Sequence, residues 1–100
     1  MRDRISLNNK LKEVCSNVYF TPPDGAKIQY PCIIYERDYP SYDRADNKVY
    51  RIDMGYKVSI ISRNDNEGMI QQMLEKFQSI SFTQEFKSEG LYHTIFTLYW

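Results

Sequence analysis

The sequence predicts an α+β domain, an antiparallel or mixed sheet with two helices packed on one face, in the chain order α-β-β-β-α-β-β. Three observations predict it. Two segments repeat apolar residues at helical offsets, a third alternates apolar and polar residues without a miss, and the other apolar runs are short and bounded by turn residues. A length of 100 residues suits one domain spanning 1–100 and leaves no room for a second.

The first helix is expected near 4–16. Leu7, Leu11, Val14 and Val18 recur at offsets of four, seven and eleven, with Ile5 and Cys15 beside them, while Arg4, Lys10, Lys12 and Glu13 form the polar side. Val18-Tyr19-Phe20 reads as a short strand, closed by Thr21-Pro22-Pro23-Asp24-Gly25. Ile28 to Asp38 is the second strand. Pro31 has no N–H to donate, so the strand begins there, bulges there or turns that side to an edge.

The third strand has the strongest pattern. Tyr50, Ile52, Met54, Tyr56, Val58 and Ile60 alternate with Arg51, Asp53, Gly55, Lys57 and Ser59. Eleven residues at about 3.4 Å each give roughly 37 Å, about twice a common strand, so it should project or bend. Paired with 28–38 it makes a long hairpin over 28–62, carrying an aperiodic loop at 39–49. A second helix is expected near 65–78 from Met69, Ile70, Met73, Leu74 and Phe77, with Asn64 and Glu67 at capping-box spacing. Phe82 and Phe86 lie on a short strand, Ser88-Glu89-Gly90 turns the chain, and Leu91 to Trp100 forms the last strand.

Thirteen Lys+Arg balance thirteen Asp+Glu, and the two halves are each near balance: 8 basic and 7 acidic residues in 1–50, 5 and 6 in 51–100. A dedicated nucleic-acid binder needs a basic excess to displace counterions, so that class is disfavoured. The start, Met1-Arg2-Asp3-Arg4-Ile5-Ser6, lacks a signal peptide's apolar run, and no stretch reaches the ~18–20 apolar residues of a membrane span. Cys15 and Cys32 have no metal-site spacing and read as buried free thiols in a reducing compartment. The unusual residue is tyrosine: nine Tyr, with five Phe and one Trp, in a chain of mean hydropathy −0.60. Tyrosine joins an apolar face to a polar tip and is enriched where protein surfaces meet.

Catalytic and metal constellations are missing from the sequence. His93 stands alone, which favours a hydrogen-bonded structural role over that of a base or ligand. Asn64-Asp65-Asn66-Glu67-Gly68 fails as a calcium loop, because glycine occupies the fifth position and Glu75 at the twelfth falls inside the expected helix. No glycine-rich phosphate loop exists, and Asp43, Asp46 and Asp53 are interleaved with Arg44, Lys48 and Arg51 as ion pairs would be. No cofactor or metal is expected, nor an enzyme.

Interaction is the more informative theme. In the 39–49 loop, Tyr39, Tyr42 and Arg44 are interface-enriched types, and Asp43, Asp46, Asn47 and Lys48 add polar groups. The loop reads equally as a docking element or as an ordered Ω-type connection. The last strand is apolar on both sides, with Tyr92, Phe96, Leu98 and Trp100 on one and Leu91, Ile95 and Tyr99 on the other. Ile33-Ile34 and Ile60-Ile61 also place isoleucines on both faces. Two helices cover only one face, so the other is expected either to meet sibling copies or to curl around a second core. Ile34, Ile61, Tyr92, Tyr99 and Trp100 are the candidate inter-subunit residues.

Several blocks carry a resemblance. Val18-Tyr19-Phe20-Thr21-Pro22-Pro23, Tyr30-Pro31-Cys32-Ile33-Ile34-Tyr35-Glu36-Arg37, Ala45-Asp46-Asn47 with Tyr50, and Gly90-Leu91-Tyr92-His93 resemble the tail terminator (tail completion, head–tail joining) proteins of long-tailed bacteriophages. The resemblance runs from about residue 7 to the C-terminus. It implies an α+β subunit of a hexameric ring that caps the tail tube, ends its growth and offers a surface to the neck. The implied partners are sibling copies, the tube protein and a head-closure protein, with DNA only as passing cargo and no membrane. The implied place is the virion tail or neck, after synthesis in the host bacterial cytoplasm. The alternatives are a head-closure or head–tail connector protein and, with less support, a small nucleic-acid-binding regulator.

Overall fold

Seven elements follow the expected chain order in the computed structural model of the chain, which describes residues 4–23, 25–38 and 55–100. They are α1 (Arg4–Leu11), β1 (Val18–Phe20), β2 (Cys32–Arg37), β3 (Gly55–Ser62), α2 (Glu67–Lys76), β4 (Ile80–Ser88) and β5 (Leu91–Tyr99). The strands form one mixed sheet in the order β1-β2-β3-β5-β4. β1 runs parallel to β2, and the other neighbours are antiparallel. The fold is α+β, as the periodicities predict. α2 carries the chain from β3 to the far edge, and the β4–β5 hairpin returns β5 against β3.

Several boundaries differ from the expectation, each for a local reason. α1 stops at Leu11 rather than near 16, because Glu13 N–H and Val14 N–H bond back three residues to Lys10 and Leu11, which tightens the last turn. Val14 and Cys15 keep their place against the core all the same. β2 begins at Cys32 rather than Ile28, immediately after Pro31, whose peptide bond to Tyr30 is cis. Ile33 N–H bonds Asn17 C=O at 2.8 Å, joining the start of β2 to β1. β3 is described from Gly55 to Ser62, so the 50–54 portion of its expected alternation lies outside the described residues, as does the 39–49 loop. α2 covers Glu67–Lys76 rather than 65–78. The strand holding Phe82 and Phe86 is long rather than short, at nine residues.

The register sorts the side chains onto two faces. On the helix side lie Val18 and Phe20 of β1, Ile33 and Tyr35 of β2, Tyr56, Val58 and Ile60 of β3, and Thr94, Phe96 and Leu98 of β5. With Leu7, Leu11 and Cys15 from the α1 region and Met73 and Phe77 from the α2 region, these apolar residues make one core. Tyr35 ties α1 to the sheet: its hydroxyl donates to Asn8 Oδ1 at 2.8 Å and accepts from Arg4 at 3.3 Å. A buried tyrosine hydroxyl needs such a partner, and α1 supplies it. The Phe20, Tyr35 and Tyr56 rings follow one another across the sheet at 4.9 and 5.9 Å, with Arg4 above Phe20 at 4.4 Å. On the α2 side, Trp100 packs edge-on against Phe77 at 5.8 Å, and Lys10 lies over both rings.

Candidate interaction surface

The face turned away from the helices carries Cys32, Ile34 and Glu36 of β2, Lys57, Ser59 and Ile61 of β3, and Leu91, His93, Ile95, Thr97 and Tyr99 of β5. It is divided along the strands. One end holds the isoleucines in two mixed rows, Cys32–Ile61–His93–Phe86 and Ile34–Ser59–Ile95–Gln84, with Leu91 beside them. The other end is polar, with Glu36 opposite Lys57 opposite Thr97 opposite Ser81. Ile61 and Ile95 are each 8% exposed, whereas Phe86 and Tyr99 at the margins are each 41% exposed.

The candidate inter-subunit residues therefore separate. Ile34, Ile61 and Tyr99 share the outer face. Tyr92 lies on the helix side, opposite Ser62, and Trp100 packs against the helix-side core. The proposed docking-loop residues Tyr39, Tyr42, Asp43, Arg44, Asp46, Asn47 and Lys48 all lie outside the described residues.

β4 adds a feature that the sequence pattern concealed. Phe82 and Phe86 are four apart and would share a face in a regular strand. A bulge between Phe82 and Gln84 shifts the register, so Phe82 stands opposite Phe96 on the helix side and Phe86 opposite His93 on the outer side. Phe82 meets Phe96 edge-on at 5.9 Å, and Phe86 stacks on His93 at 4.7 Å with 5° between the planes. The isolated histidine is thus the inner partner of an exposed aromatic pair.

The capping box expected between Asn64 and Glu67 does not form before α2. The helix cap is Asn66, and Glu67 N–H bonds Asp65 Oδ1 at 2.9 Å. Asn66 is only 1% exposed, and its side chain serves the sheet rather than the helix. Its Nδ2 lies within 3.2 Å of the Ile60 and Tyr92 carbonyls and 3.1 Å of Thr94 Oγ1, while Ser62 Oγ meets its Oδ1. The Ser62 hydroxyl also lies against Asn64 C=O. One amide thereby pins the β3–α2 turn to β5. The polar run Asn64-Asp65-Asn66 does not by itself distinguish Asn66 from Asn64; only contact with β5 reveals the use of the Asn66 amide.

Other features are structural in character. Cys15 and Cys32 are buried free thiols, as expected. Cys15 Sγ lies 3.4 Å from Pro31 C=O, and burial, with Cys15 nearby, pushes the Cys32 thiol up to about 11. An open groove of about 290 Å³ beside Tyr30, Pro31, Arg63 and Met69 borders the N-terminal turn of α2. Among the described residues, no group of three or more His, Cys, Asp or Glu converges as metal ligands would, and no helix is long and apolar enough to cross a membrane.

Comparison with known proteins returned no matching family model, no matching curated protein and no matching solved structure.

Proposed function

We propose that this chain is a structural component of a long-tailed phage virion, a ring-forming tail terminator that caps the tail tube and joins it to the neck. The sequence blocks supply the resemblance. The observation that supports the reading is the outer sheet face, where Ile34 and the already buried Ile61 and Ile95 lie beside the accessible ring of Phe86, and the accessible ring of Tyr99 stands at the opposite end beyond Lys57 and Thr97. An apolar sheet surface outside the helix-covered core is what a ring subunit requires to hold its neighbours. The balanced charge is compatible with a lumen through which DNA passes without being held.

Light scattering with negative-stain imaging of the purified protein, alone and with tube protein, tests this. Rings, and density at tube ends, are expected. A chain that stays monomeric and never associates with tube ends overturns the proposal, and labelling on heads lacking tails replaces it with the connector role. The double substitution Tyr42→Ala with Arg44→Ala is expected to weaken docking with the fold intact. Normal infectious particles carrying it would remove the loop assignment.

A further inference from the structure

We infer that the free edge of β4 pairs with β4 of a second copy of this chain, antiparallel about a two-fold axis at Phe86. Among the described strands β4 is the outermost on its side, and eight of its nine residues are exposed. The opposite edge is the three-residue β1, which is too short to offer an equal template. A long unpaired edge presents backbone donors and acceptors to another chain unless something blocks it.

The backbone fixes which groups are available. Glu89 and Gly90 join β4 to β5 with φ of 53° and 78°, the positive pair of a two-residue type I′ hairpin. In such a hairpin the flanking pair, Ser88 with Leu91, exchanges hydrogen bonds, and alternation assigns the same to Phe86 with His93 and Gln84 with Ile95. The N–H and C=O groups of Glu85 and Lys87 therefore point away from β5, into the open edge.

A two-fold antiparallel partner must set outward residues opposite outward residues, which leaves three registers. Glu85 opposite Glu85 brings two carboxylates together. Lys87 opposite Lys87 brings two ammonium groups together and also sets Glu85 opposite Glu89. With Phe86 on the axis, each Glu85 faces the Lys87 of the other copy, so both cross-strand pairs are of opposite sign. Only this register is free of like-charge opposition.

The same register places Phe86 opposite Phe86 in the non-hydrogen-bonded position, where facing side chains approach most closely. Each ring already stacks on its own His93, so the outer face gains a continuous row of four rings. The Phe82/Gln84 bulge and the Glu89-Gly90 turn bound the pairing to 84–88, and a bounded stretch yields a discrete pair rather than a fibre.

The contact is self-complementary, whereas a ring grows by a head-to-tail contact, so the inference does not rest on the ring reading. Sedimentation velocity of the full chain and of Glu85→Lys, Lys87→Glu and the double swap tests it. Either single reversal sets like charges opposite twice and is expected to halve the particle mass, whatever larger assembly exists; the double swap restores it. Separately, Phe86→Cys is expected to give a disulfide-linked dimer under a mild thiol oxidant, while the parent, whose two cysteines are buried, does not. Unchanged mass in the single reversals, failure of the double swap to restore it, or no cross-link through residue 86 overturns the inference. Loss of rings with the pair retained would instead remove only the terminator reading.

Discussion

The two faces of the sheet use the same residue types to different ends. Under the helices, Tyr35, Phe96, Ile33, Val58, Ile60 and Leu98 are all fully buried, and the one polar tip among them, the Tyr35 hydroxyl, is bonded to α1. On the outer face the isoleucines gather at one end, where Ile61 and Ile95 are buried, while the rings of Phe86 and Tyr99, at opposite ends of the face, remain accessible. The helix side is filled from within the chain, and its substitutions should read out as stability. The outer side is only partly filled, and its margins should read out as association.

The largest expected effect is at the centre of the helix side. Phe96→Ala removes a fully buried ring that touches Phe82 and stands opposite Val58, and should cost about 3–5 kcal/mol in urea unfolding. A loss below about 1 kcal/mol would erase the distinction between the faces. Asn66→Ala should follow at about 2–3 kcal/mol, because it removes a buried amide that bonds the Ile60 and Tyr92 carbonyls and the Thr94 hydroxyl, leaving the Ser62 hydroxyl only its contact with Asn64 C=O. Amide exchange at the β3–β5 ladder near Thr94 should rise in step.

Gly55→Ala tests the close approach where the two ends of the β2–β3 hairpin meet. A methyl group there would lie 2.7 Å from the Asp38 carbonyl and 3.3 Å from the Tyr99 ring, so backbone must move, at about 1–2 kcal/mol. Unchanged stability would show that the Asp38–Gly55 pairing, bonded at 2.8 Å, is easily displaced.

Cys32 provides a pH probe. Its thiol ionises near 9 in the unfolded chain and near 11 when folded, because burial disfavours the thiolate. The raised folded value means its stabilising contribution is complete below pH 9 and declines as pH rises from 9 towards 11. Cys32→Ala should flatten that part of the stability–pH curve relative to the parent. The smallest stability effect is at the outer margin. Tyr99→Ser should change unfolding by about 0.5 kcal/mol or less, as surface substitutions do, while lowering the assembly mass seen by light scattering.

Much of this was legible in the sequence where one periodicity governed. The alternation through Tyr56, Val58 and Ile60, the offsets of Leu7 and Leu11, and the Glu89-Gly90 turn correspond to β3, α1 and the β4–β5 hairpin. The doubled isoleucines at Ile33-Ile34 and Ile60-Ile61 do lie one to each face. Boundaries were less legible: three-residue hydrogen bonds shortened α1, and Phe82 and Phe86, which share a period, were parted by a bulge. The division of the candidate inter-subunit residues needed the packing of Trp100 against Phe77 as well as the alternation.

By itself the sequence determined the α+β class, the chain order of its elements and the two-sided apolar character of its strands, because side-chain period follows directly from backbone geometry. Tertiary structure alone decided that β5 lies inside the sheet and β4 at its edge, that the side chain of Asn66, the N-cap residue of α2, bonds β3 and β5 rather than the helix N-terminus, and that Phe86 stacks on His93. The first two depend on contacts between distant segments, and local pattern does not encode which distant strand will supply the partner; the third depends on the exact register of the β4–β5 hairpin.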